Sequence, residues 1–137
     1  MFHDPQVAII NHRLSGMYRN AKSTLRTLQR EEEINLPRVL SYINEFANRA
    51  ANSVQSLQAM HDGNPPTTLL QQQQNDHDLS QFKAARFRDH IDLIQHGAHL
   101  LALHYPNTDK AYFVYHIVRN TAIQPSFEPA PRSGFEA

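Results

Sequence analysis

Apolar residues recur at three- and four-residue steps over most of the chain, and that rhythm predicts helices. Val7, Ile10, Leu14, Met17, Ala21, Leu25 and Leu28 form the first stripe. Asp4 can cap it, and Pro5 suits the first helical position, where an N–H would go unpaired anyway. A helix is therefore expected over residues 5–31, about 40 Å long. Leu36, Val39, Leu40, Ile43, Phe46, Ala47, Ala50, Val54, Leu57 and Met60 form the second stripe, with Pro37 in its first turn and Gly63 as a stop signal. Two long helices joined by the few residues between Glu31 and Leu36 are expected to fold back as an antiparallel hairpin.

Residues 61–68, His-Asp-Gly-Asn-Pro-Pro-Thr-Thr, interrupt the pattern. For residues 69–78 two readings stay open. Gln71–Gln74 tolerate a helix, whereas Asn75-Asp76-His77-Asp78 favour a turn or a cap, so a short helix or a mobile connection is expected. A third long helix is expected from Leu79 to His104. Phe87, Ile91, Ile94, Ala98 and Leu101 line one side, and Leu93, Leu100 and Leu103 line the other. A helix apolar nearly all round is buried, which puts its second half at the centre of the fold. Gly97 and Ala98 would let a neighbouring helix come close, and Pro106 ends the run. Asn107-Thr108-Asp109 then signals the start of a last helix, Lys110–Ile123. The prolines in residues 125–137 favour an extended tail, which still carries Phe127 and Phe135. The fold class is thus all-α: an antiparallel helical hairpin extended to a four-helix bundle-like domain over residues 1–124, followed by a Pro-rich tail over 125–137.

Composition narrows the function classes. There is no Cys, which excludes disulfides, thiolate metal sites and a cysteine nucleophile. Four Gly in the whole chain do not build a phosphate-binding glycine loop, and no G-x-S-x-G elbow surrounds any serine. The 13 Lys+Arg balance 13 Asp+Glu, so the surface as a whole is not a nucleic-acid or membrane grip. No apolar stretch reaches the roughly 18–20 residues of a membrane span, and the first residues lack a signal-peptide pattern. The expected location is the cytoplasm, or an assembled particle such as a virion in the host cytoplasm.

Local chemistry is more distinctive than the average. The nine His are the compositional oddity, and four of them lie on the third helix. There Asp89, Asp92, His96 and His99 fall within about 80° of one another on a helical wheel. Imidazole and carboxylate ligands suit zinc, iron or manganese, and His116 on the next helix could complete a set. The simpler reading makes Asp92 and His96 an i,i+4 ion pair and His99 a half-buried polar residue. The first helix carries five basic residues and no acidic one between Pro5 and Arg30. Arg19, Lys22, Arg26 and Arg30 step along the face opposite its apolar stripe and could meet phosphates, an anionic membrane or an acidic partner, the simpler reading being a solvated outer face. Glu31-Glu32-Glu33 follow at once; they would repel a phosphate backbone but could pair with arginines of a neighbouring subunit. Tyr112 and Tyr115 share a face of the last helix and are expected to meet a partner.

Three functions compete. The first is a non-catalytic α-helical interaction or assembly protein. It would be a homo-oligomeric adaptor or structural component of a larger particle, with protein partners and no cofactor. Its contact residues would be Arg19, Lys22, Arg26, Arg30, Tyr112, Tyr115, Phe127 and Phe135. The second is a nucleic-acid-associated helical protein using the basic face of the first helix. The third is a metal-binding bundle using Asp92, His96 and His99.

Overall fold

A computed structural model describes residues 2–121 and resolves them into four helices. These are α1 (Pro5–Leu28), α2 (Leu36–Gly63), α3 (Leu69–His104) and α4 (Lys110–Arg119), with no strand among the described residues. Each begins on a residue whose short polar side chain accepts a backbone N–H of the first turn: Asp4, Asn35, Thr68 and Asp109. The all-α class and the bundle-like packing expected from the sequence are thus present. Phe127 and Phe135, and the tail that carries them, lie outside the described residues.

Antiparallel turns join α1 to α2 and α2 to α3, so α1 and α3 run the same way. A constant register confirms this. Side-chain bonds join His3 to Asp78, Asn11 to Arg86, Tyr18 to Asp92 and Gln29 to His104, pairs separated by 74 or 75 positions. At that offset the start of α1 lies beside residue 80. The first three turns or so of α3 therefore run past it, leaving Leu69 and Leu70 exposed at the tip.

Helix α3 is continuous from Leu69, so the turn or mobile connection considered for residues 69–78 is a helix. Thr68 caps its start, and Gln72 bonds Asp76 one turn on at 3.1 Å. The capping tendency of Asp78 is real but serves another helix. Its buried carboxylate accepts the backbone N–H groups of His3, at 2.8 Å, and Asp4, at 2.8 Å, and so fixes the segment that starts α1. Helix α1 stops at Leu28 and α4 at Arg119, each a few residues short of expectation.

The core is one cluster drawn from all four helices, including Val7, Leu14, Leu25, Val39, Ile43, Phe46, Leu57, Phe82, Leu93, Ile94, Leu101 and Ile117. The second half of α3 buries Leu93, Ile94, Ala98, Leu100 and Leu101 as expected, but not all round: Gln95, His99 and Leu103 form an exposed stripe, with Leu103 48% exposed. Its first half turns a different ladder inward: Asp78, Phe82, Arg86 and His90, four residues apart and buried against the bundle. Gly97 marks the closest crossing. A Cβ there would come within 2.8 Å of Val39 Cγ1 and 2.9 Å of Ile43 Cδ1.

Candidate interaction surface

Asp92 is the polar hinge between α1 and α3. It accepts the hydroxyl of Tyr18 and lies 3.2 Å from the ammonium of Lys22, which in turn reaches the Tyr18 hydroxyl at 3.3 Å. Burial pushes the Asp92 carboxyl up, but the hydrogen bonds from Tyr18 and Lys22 outweigh it and hold the group below its usual range. Burial, together with the bond to Asp92, raises the Tyr18 phenol. The bond to Tyr18, then that to Asp92, raises Lys22. Lys22 therefore stands apart from the other basic residues of α1: its charge is engaged by Tyr18 and Asp92 at the half-buried seam with α3, while Arg19, Arg26 and Arg30 are exposed.

The acid–histidine set on α3 divides among separate partners. Asp89 pairs with buried Arg86 at 3.0 Å, and Arg86 also reaches Asn11 Oδ1 at 2.9 Å and the ring of Phe82. Burial lowers Arg86 and raises Asp89, each opposed by the pair itself. His96 lies 3.8 Å from Asp92, the i,i+4 pairing of the simpler reading, and His99 is exposed. His116 packs its ring against Tyr112, with centroids 4.3 Å apart. Among the described residues no three His, Asp or Glu side chains converge on a common point. His90 is fully enclosed, and burial pushes its imidazole down to about 4.

Helix α4 is short, and its sequence separates two faces. Phe113 and Ile117, four residues apart, enter the core. Tyr112 and Tyr115 stay 52% and 57% exposed, as the sequence led one to expect. Arg119, one turn beyond Tyr115, donates to its hydroxyl at 3.0 Å. This face carries Arg119 and no acidic residue, whereas Lys110 starts the helix on the other side of the wheel. It joins the acidic link between α1 and α2 through Tyr105, whose ring packs 6.1 Å from Phe113 and whose hydroxyl donates to the Ile34 carbonyl. Glu31, Glu32 and Glu33 are exposed there. Arg38 lies 3.9 Å from Glu31, whereas Glu32 and Glu33 have no ion pair among the described residues. Sequence reading missed Tyr105 and Arg119 as parts of this surface. The spacing of Tyr115 and Arg119, one helical turn apart, was the available signal.

The fold and this surface define an all-helical bundle with an exposed aromatic and cationic edge. Comparison with family models, with curated proteins and with solved structures finds no match. No helix among the described residues is long and apolar enough to cross a membrane.

Proposed function

We propose that the chain is a non-catalytic α-helical interaction protein, an adaptor or building block of a larger assembly in the cytoplasm or in a particle assembled there. The exposed face of α4 carries the reading. Tyr and Arg are the residue types enriched at protein interfaces, because they join broad apolar area to a polar tip. A ten-residue helix that spends Tyr112, Tyr115 and Arg119 on solvent while Phe113 and Ile117 anchor it is organised for contact. Acid–base chemistry has less support. In the Tyr18–Lys22–Asp92 group the phenol and ammonium are raised and the carboxyl lowered, so each moves away from neutrality, where a general acid or base works best. Site-specific photo-crosslinking tests the reading. A crosslinker at position 112 or 115 is expected to form protein adducts in cells that make the full chain, and one at exposed Gln55 is not. Equal yields at all three positions contradict the proposal.

A second reading rests on the exposed arginines of α1. Arg19, Arg26 and Arg30 have no carboxylate partner among the described residues and could meet phosphates. Without Lys22, three contacts give a slope of about −2 to −3 in log affinity against log salt for duplex DNA. A binding titration over a range of salt that shows no retention at low salt excludes it.

A further inference from the structure

We infer that the partner of the α4 face is a second copy of this chain, bound two-fold so that the acidic link of each copy meets the cationic face of α4 of the other. This rests on the interaction reading above and names its occupant. The physical basis is self-complementarity. A two-fold interface uses the same patch on both copies, so a patch that pairs with itself needs opposite charges at its two ends. This patch has them. Glu32 and Glu33 lie at one end, without ion-pair partners among the described residues. Arg119 lies on the tyrosine face of α4, which has no acidic residue to neutralise it.

Between the two ends runs a connected series of contacts. Ile34 accepts the Tyr105 hydroxyl, Tyr105 packs on Phe113, Phe113 meets Tyr112 edge-on at 5.4 Å, and Tyr112 packs on His116. Tyr105 and Tyr112 are 42% and 52% exposed along that line. An axis passing near Tyr105 and Tyr112 brings the rings of the two copies together at the centre. It also sets Glu32 and Glu33 of each copy against Arg119 of the other, twice over. Aromatic centre and charged rim is the usual anatomy of such contacts. The same exchange gives a purpose to Glu32 and Glu33, which at the end of a helix rich in arginine have no role in stabilising α1.

Sedimentation velocity of the full chain at low salt tests this. The wild-type chain is expected at twice its monomer mass. Tyr112→Ala with Tyr115→Ala is expected to weaken association by about tenfold or more, with an unchanged helical circular dichroism spectrum because both rings are exposed. Arg119→Glu alone, and Glu32→Arg with Glu33→Arg, are each expected to weaken it. The three charge changes together are expected to restore most of the loss, because opposite signs again face each other. A monomeric wild-type chain, or a combined variant no tighter than its parents, overturns the inference. If the wild-type chain is monomeric while crosslinks from position 112 to a different protein persist, self-pairing fails and the interaction reading stands. If those crosslinks are also missing, both fall.

Discussion

His90 and Gly97 show how single positions of α3 set stability. An unfolded chain protonates the His90 imidazole below about 6.5, the ordinary value, but the fold refuses that proton until about 4. Between those values the unfolded state binds more protons. The contribution of His90 is therefore fully present above pH 6.5 and declines as the pH falls, by about 3 kcal/mol at pH 4. Urea midpoints measured from pH 7 to pH 4 are expected to fall less steeply in His90→Gln than in the wild-type chain. Parallel slopes would show that the site is not sealed. At Gly97, a methyl group would press on Val39 and Ile43. The overpacking costs about 1–3 kcal/mol, against roughly 1 kcal/mol recovered in helix propensity. Gly97→Ala is expected to lower the urea midpoint modestly and Gly97→Leu to prevent cooperative folding; a stabilised Gly97→Ala would refute the tight crossing. Gly97 was legible because a glycine inside an apolar helical run weakens the helix unless a neighbouring helix needs the space. The engagement of Lys22 by Asp92 was not, since the two residues come from different helices and no spacing rule joins them.

Among the elements, α1 and α2 were legible almost to their ends. Their apolar stripes repeat cleanly, and Asp4, Pro5, Asn35 and Pro37 mark their starts. The first half of α3 was not, because its buried stripe holds Asp78, Arg86 and His90 beside Phe82, and a periodicity sought in apolar residues passes over it. Asp78 and Arg86 are admissible inside because they are answered, Asp78 by the N–H groups of His3 and Asp4, and Arg86 by Asn11 and Ser15 of α1 and by Asp89. Asp78→Ala is thus expected to leave two backbone donors unanswered at the start of α1 and to cost about 2–3 kcal/mol. Hydrogen exchange is expected to quicken over residues 6–10 while the middle of α2 stays protected. Unchanged exchange in that first turn would mean that Asp78 holds nothing that solvent cannot.

For the whole molecule, the zero net charge conceals a division that matters. One edge joins the glutamates of the α1–α2 link to the tyrosines and Arg119 of α4, while Arg19, Arg26 and Arg30 of α1 are exposed without carboxylate partners among the described residues. The sequence showed the acidic and basic segments, but their adjacency depends on Tyr105 reaching Ile34, a tertiary contact between residues 71 positions apart. The pairing of this edge with its own copy is most directly tested by hydroxyl-radical footprinting of the purified chain at high and low concentration. Tyr112 and Tyr115, with Tyr105 between them and the link, are expected to be protected at high concentration, while Ile9, Leu69 and Leu70, exposed elsewhere, oxidise alike in both. Protection at the Leu69–Leu70 tip with none on α4 would show that the molecule associates through another face.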